Sequence, residues 1–265
     1  MKIVVCIKYS LDVSEIKVDS DSREIRLTGV PLKVGVIDQH VLEAAVKLAE
    51  LYDGVVHAVT FGPVSAKESF RSALAMGVED VTLIEDFTDG QGGPAVTAAV
   101  LDAAIKKIDG VDLVICGEVS DDGFTYQVPP RLAERLGFPQ ISFSRDINIE
   151  DGILFIHREL DDGSQTVEAP LPALISVTEE TNTPRRPTLM EAMKAKQKPV
   201  HLWQVDEDLG LSKKDLMEKT GFEIVDTEGI VVNRKQHLLK GDNMEELANN
   251  LVDLLIQENV LEGGE

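Results

Sequence analysis

Leu113-Val114-Ile115-Cys116-Gly117-Glu118-Val119-Ser120-Asp121-Asp122-Gly123-Phe124-Thr125-Tyr126-Gln127-Val128-Pro129-Pro130 passes from an apolar run, through a polar turn, into a helical pattern that ends at Leu136-Gly137. Val111 to Cys116 reads as a buried strand, because a short β-branched run bounded by glycine has no polar face to show to water. The same strand-then-helix unit recurs upstream. Lys2 to Lys8, Gly54 to Phe61 and Asp80 to Ile84 are strands. Helices are expected after Asp38 (apolar face Val41, Leu42, Ala45, Val46, Leu48, Ala49), over Ser65 to Met76 and over Pro94 to Ile108. Asp38 is placed to cap the first of them. Such alternation predicts an α/β fold, a doubly wound and mostly parallel sheet. Sheets of this kind bind ligands beyond the carboxyl ends of their strands. Those ends are Cys6-Ile7-Lys8, Thr60-Phe61-Gly62 and Cys116-Gly117-Glu118, so three loops should converge on one crevice.

Elsewhere the pattern changes. Asp12 to Val30 alternates around Asp19-Ser20-Asp21-Ser22 and reads as a hairpin excursion. Ile147–Ile149, Ile153–Glu159 and Gln165–Glu168, parted by Asp151-Gly152 and Asp162-Gly163, predict an antiparallel hairpin addition, followed by a strand over Ala173–Val177. Thr188 caps a short helix, Leu189 to Lys196, and an amphipathic helix runs over Asn243 to Leu261. The expected division is residues 1–195 as one α/β domain and 196–265 as an extended C-terminal arm and helix that pack on a partner subunit.

The 265 residues carry a formal net charge of -21, which repels nucleic acid and anionic lipid. Cys6 and Cys116 both sit in apolar runs, without a CxxC or a disulfide framework. That usage, and the absence of a recognisable leader or membrane span, point to a cytoplasmic protein with no direct membrane insertion. The five histidines have no metal-ligand spacing, and there is no Walker loop or G-x-S-x-G elbow. No catalytic set emerges. What remains is an anion site: backbone N–H groups at the helix start, Ser120 and Thr125 hydroxyls, and Gly123 for close backbone approach. Asp121 and Asp122 would repel phosphate and suit ribose hydroxyls, amides or a helix cap. An ordinary capped loop is the equal alternative on spacing alone.

Four stretches together resemble the beta subunits of electron-transfer flavoproteins, including Fix-type proteins. They are Lys2-Ile3-Val4-Val5-Cys6-Ile7-Lys8; Thr60-Phe61-Gly62-Pro63 with Ala73-Leu74-Ala75-Met76-Gly77; Asp122-Gly123-x-Thr125-x-Gln127-Val128; and Asn182-Thr183-Pro184-Arg185-Arg186-Pro187-Thr188-Leu189-Met190-Glu191-Ala192-Met193-Lys194-Ala195-Lys196. The resemblance implies a Rossmann-like fold of the adenine nucleotide alpha-hydrolase-like kind, with residues 1–195 as the nucleotide-binding domain. It implies a heterodimer with an alpha subunit that carries a further FAD, and a beta-subunit site for FAD or, alternatively, AMP. The implied cofactor contacts are Cys6, Gly35, Val36, Ile37, Asp38, Phe61, Val119, Ser120, Asp121, Asp122, Gly123, Phe124, Thr125, Tyr126, Gln127, Val128, Pro129 and Pro130. Thr188, Leu189, Met190 and Met193 would dock partners, with Leu189 as apolar anchor. Electrons would pass from an acyl-CoA or other dehydrogenase, or NADH, to a quinone reductase or ferredoxin. Glu118 and Val119 depart from the family's usual basic residue and glutamine. The alternative is a non-redox nucleotide-binding module of the universal-stress-protein type, which predicts a homodimer and lacks the Pro184–Lys196 segment.

Overall fold

The computed structural model describes residues 1–218, 220–221, 224–231 and 234–261. In chain order the strands and helices are β1 (Lys2–Cys6), β2 (Tyr9–Leu11), β3 (Lys17–Val18), β4 (Ile25–Arg26), β5 (Leu32–Val34), α1 (Val36–Leu51), β6 (Val55–Gly62), α2 (Arg71–Met76), β7 (Asp80–Glu85), α3 (Gly93–Lys106), β8 (Leu113–Gly117) and α4 (Val128–Leu136). They continue with β9 (Gln140–Glu150), β10 (Ile153–Leu160), β11 (Gly163–Pro170), β12 (Ala173–Val177), α5 (Leu189–Ala195), β13 (Val200–Trp203), α6 (Lys213–Glu218) and α7 (Met244–Gln257).

The main sheet has nine strands in the order β11-β10-β9-β12-β8-β1-β6-β7-β13. From β9 to β13 every neighbour pair is parallel, while β10 pairs antiparallel with both β9 and β11. This is the expected α/β sheet with an antiparallel addition. The chain leaves β1 toward β6 and β7 on one side, then returns to lay β8 on the other. That reversal is a topological switch point, and it opens a crevice above the carboxyl ends of β1 and β8.

Side-chain alternation sorts β1 onto two cores. Ile3, Val5 and Ile7 face α1 and α2, packing with Val41, Leu42, Phe70 and Leu74. Val4 and Cys6 face α3 and α4, packing with Val96, Val100, Ile105 and Leu132. Burying each large aliphatic side chain contributes about 1.5–3 kcal/mol, so central strands covered on both faces anchor the sheet.

Three expectations need correction. Strand β9 starts at Gln140 rather than near Ile147. Its first residues pair with β12, and the register slips between Ile175 and Val177, where Phe143 takes a left-handed φ of 57°. A bulge of this kind breaks the two-residue period that identifies a strand. Asp38 is not the cap of α1: it lies in the first turn, behind Gly35. Nor does an arm begin at 196. Val200–Trp203 adds a parallel strand to the open edge of β7, and Val205 and Leu216 are buried in the α3 face. The first compact unit consists of residues 1–17 and 25–227; the second consists of 18–24 and 228–265. Within the second unit, α7 is capped by Asn243, whose Oδ1 accepts from the Glu246 N–H at 2.9 Å, and none of its residues is buried.

The segment after β12 is fastened to α1. Arg185 donates from Nε and its backbone N–H to Glu43 at 2.8 and 2.9 Å, and its terminal nitrogens reach Glu50 at 2.6 and 3.0 Å. Asn182 donates to the His40 carbonyl at 2.9 Å. Burial would push the Glu43 carboxyl up, but the hydrogen bonds and charge of Arg185 outweigh it and hold Glu43 below the usual range. Replacing Arg185 by Ala would leave Glu43, 2% exposed, with Lys47 at 3.5 Å as its remaining cation among the described residues. We expect a loss of about 2–3 kcal/mol in urea unfolding, and Arg185→Lys to recover only part of it, because an ammonium cannot fork between two carboxylates.

Candidate functional site

A cavity of about 670 Å3 opens at the switch point. Its floor is Cys6, Cys116 and Gly117, where β1 and β8 end side by side, and Asp38 and Phe61 form part of its walls. Val119, Ser120, Asp122, Gly123, Thr125, Tyr126, Gln127, Val128 and Pro129 line the side built by the β8–α4 loop. Thus most of the residues named from sequence come together. Gly35, Val36, Ile37, Asp121, Phe124 and Pro130 stand outside the lining.

Some of those outside hold the wall in place. Lys8 donates its backbone N–H to Asp38 Oδ2 at 2.9 Å, and its carbonyl accepts from Gly35 N at 3.2 Å. Asp121 Oδ2 accepts from Val36 N at 2.9 Å, so the β8–α4 loop supplies the cap that α1 lacks. A carboxylate is favoured there by the free amides and the helix dipole. Two glycines make the approach possible. A Cβ on Gly35 would stand 2.8 Å from Asp38 Oδ2, and one on Gly117 would stand 2.8 Å from Ile37 Cγ2.

Charge in the cavity is uneven. Among the described residues, Lys8 is the one basic side chain in the lining, against Asp38, Asp86, Asp89, Glu118 and Asp122. Lys8 Nζ meets Asp122 Oδ2 at 2.7 Å. Burial pushes Asp122 up, yet Lys8 and Ser120 hold it below the usual carboxylate range. Burial, with Glu179 and Glu180 nearby, pushes Glu118 up. Burial likewise pushes Asp38 up to about 7, opposed by the Lys8 amide and assisted by Asp121 and Asp122. Near neutral pH the cavity therefore carries less negative charge than its residue count suggests.

Helix α4 offers fewer amides than its position promises. Its first turn is Val128-Pro129-Pro130, and the two prolines have no N–H to give. The hydroxyls of Ser120 and Thr125 and the ammonium of Lys8 carry more of any anion. A fourth loop, missed in the sequence, supplies Asp86, Thr88, Gly90, Gly92, Gly93 and Pro94 at the start of α3, with Thr97 one turn on. The Gly90-Gln91-Gly92-Gly93-Pro94 run after a strand was the available signal. Ser10 and Leu32, from the short β2–β5 pair, close the far side. Ser10 is 4% exposed, and its Oγ has no hydrogen-bond partner among the described residues.

Two exposed aromatics belong to the β8–α4 loop, Tyr126 in the lining and Phe124 outside it. Phe124 and Tyr126 hold left-handed φ values of 47° and 58°, and their rings meet edge to face with centroids 5.9 Å apart. Bulky residues rarely persist there unless the fold imposes it. A second depression of about 870 Å3, beside Arg145, Glu159, Asp161, Glu179 and Glu180, is more open and strongly acidic, which disfavours a phosphate. Among the described residues no cluster of three or more metal-ligating side chains occurs, and no helix is long and apolar enough to cross a membrane.

Residues 27–208 match the model of the electron transfer flavoprotein domain. The chain belongs to the electron transfer flavoprotein family, on its beta-subunit side. It is 32% identical to the caffeyl-CoA reductase-Etf complex subunit CarD of Acetobacterium woodii, over 98% of this chain and all of that one. It is also 32% identical to the electron transfer flavoprotein subunit beta of Thermoanaerobacterium thermosaccharolyticum, again over 98% of this chain and all of the relative. Protein FixA of Azorhizobium caulinodans is 32% identical over 78% of this chain and 76% of its own. A beta subunit of this family explains the Pro184–Lys196 segment, and the universal-stress-protein alternative falls away.

The segment forms α5. Thr188 and Glu191 close a capping box, with Thr188 Oγ1 2.8 Å from Glu191 Oε2. Ala195 is buried, and Arg71 donates to the Ala195 and Lys198 carbonyls at 3.1 and 3.0 Å, which seats the helix end. Leu189, Met190 and Met193 point away from that seat and are 80%, 67% and 60% exposed.

The raised carboxyl of Asp38 has a sign-definite consequence. Its folded value near 7 exceeds the ordinary carboxylate value, so the folded chain holds a proton that the unfolded chain releases between about pH 4 and 7. Stability from this group is present below that window and falls as pH rises through it. Asp38→Asn keeps an acceptor for the Lys8 amide and removes the titration. We expect its melting temperature to overtake the parent's above pH 7, and the difference between the two to flatten below pH 4.

Proposed function

We propose that this chain is the beta subunit of a heterodimeric electron-transfer flavoprotein and that its cavity binds FAD rather than AMP. The carrying observation is the extent of the cavity. It spans the β8–α4 loop, the switch point and the Gly90–Pro94 turn, and its 670 Å3 lies in the range of sites for large ligands. A nucleoside monophosphate held at the β8–α4 loop would leave the space beside Gly90–Pro94 to water.

The residues fit such a ligand on their own terms. Ser120, Thr125 and the Val128 amide would hold phosphate oxygens, with Lys8 as counter-charge. Asp122 would accept from ribose hydroxyls, and Asp38 could do so or, protonated, donate. Ser10 has a buried hydroxyl to offer to such a ligand. Cys6, Phe61, Val119 and Tyr126 would exclude water along the ring systems. Bound FAD would supply reversible hydride and single-electron transfer, whereas AMP would supply neither.

Two uncovered apolar surfaces support partners. In the second unit, α7 leaves Leu251 and Val252 44% and 45% exposed, which suits burial against an alpha subunit carrying the further FAD. Leu189, Met190 and Met193 on α5 would dock an electron donor such as an acyl-CoA or other dehydrogenase. The similarity to a subunit of a caffeyl-CoA reductase-Etf complex favours a CoA-ester oxidoreductase among those partners. Electrons would then move between such an enzyme, or NADH, and a quinone reductase or ferredoxin. Two flavins per heterodimer would permit bifurcation in the assembled complex.

Two measurements bear on this. Coexpressed with its alpha subunit and extracted with acid, the heterodimer should release two FAD; one FAD with one AMP overturns the FAD assignment. Leu189→Ala should slow electron exchange with the partner dehydrogenase by about ten-fold, the loss of one apolar interface anchor, with an unchanged melting temperature. A large fall in melting temperature would instead make Leu189 a packing residue.

A further inference from the structure

The cavity floor holds two thiols whose redox chemistry the cofactor reading does not use. Cys6 is the last residue of β1 and Cys116 lies next to the end of β8, and they are direct register partners. Both side chains point to the same face of the sheet, the one packed by α3 and α4. Both are free, 8% and 3% exposed, and both line the cavity. Neighbouring strands stand about 4.8 Å apart, inside the 4.4–6.8 Å separation that a disulfide spans between Cα atoms. Cys6 and Cys116 are the last residues paired between β1 and β8.

We propose that Cys6 and Cys116 form a redox-sensitive dithiol, oxidised by hydrogen peroxide to an intramolecular disulfide and shielded from it by the nucleotide bound above them. The shielding rests on the proposed adenine-nucleotide site; the dithiol itself does not.

The chemistry balances in two steps. Cys6, the more exposed thiol, loses its proton and its sulfur attacks one peroxide oxygen. The O–O bond breaks, and hydroxide leaves and takes up the proton as water, giving a sulfenic acid. The Cys116 sulfur then attacks that sulfur. The S–S bond forms, the S–O bond breaks, and the departing hydroxide takes up the Cys116 proton as a second water. The pair gives up two electrons and two protons, and the peroxide accepts them. The adjoining Cys6 thiol, burial and the Asp38 charge push the Cys116 thiol well up, which suits it to the second step rather than the first.

The test uses the purified protein with its nucleotide removed by dialysis, treated with hydrogen peroxide, alkylated and mapped by peptide mass spectrometry. The expected result is a Cys6–Cys116 cross-linked peptide that dithiothreitol reverses. AMP or FAD at ten times its separately measured Kd should slow cross-linking about ten-fold by mass action. Oxidation that stops at a Cys6 sulfinic acid, without a cross-link, overturns the dithiol. A cross-linking rate indifferent to a nucleotide that demonstrably binds overturns the shielding. If neither nucleotide binds, the shielding falls together with the adenine-nucleotide reading, while a reversible cross-link still upholds the dithiol.

Discussion

Parallel pairing of β1 with β6 on one side and β8 on the other is the constraint on which the rest of the molecule depends. A strand hydrogen-bonded on both edges and covered on both faces has one place to sit. Its end at Cys6 then fixes where the chain must turn outward. Since the following strands fill one flank before β8 takes the other, the loops after β1 and β8 diverge and leave space between them. The cavity is thus a consequence of strand order and needs no special feature of its own loops to exist.

The loops decide what the space can hold. Asp121 reaches back to cap α1, Asp38 turns inward to receive the Lys8 amide, and Gly35 and Gly117 let these elements close in. The result is a wall made from segments far apart in sequence. It is held by carboxylates acting on backbone amides, while Ser120, Thr125 and the Lys8 ammonium, the last paired with Asp122, line the cavity. Burial of Asp38 moderates the negative charge that the same arrangement gathers.

One helix links the cavity to α5. The first turn of α1 borders the cavity, and Glu43 and Glu50 further along it grip Arg185, the residue that leads into α5. The exposed Leu189 and Met190 are therefore carried on a segment fastened to the same rigid element that frames the cavity wall. Nothing in that linkage requires movement; it sets where the proposed docking and cofactor sites lie relative to each other within the first unit.

Much of this was legible in the residues. Apolar runs at Lys2–Lys8 and Leu113–Gly117, with helices between, gave the parallel sheet, because fully buried strands have a composition that little else shares. Short turn-and-helix motifs, such as Asp122-Gly123-x-Thr125-x-Gln127-Val128 and Asn182–Lys196, carried the family. Long-range partners were not legible. That Asp121 caps a helix starting at Val36, that Val200–Trp203 completes the sheet, that the Gly90–Pro94 turn borders the cavity, and that Cys6 faces Cys116 all depend on which strands become neighbours. Local periodicity records the face a residue must bury, but strand order is set by the packing of the whole chain, and only the tertiary structure decides it.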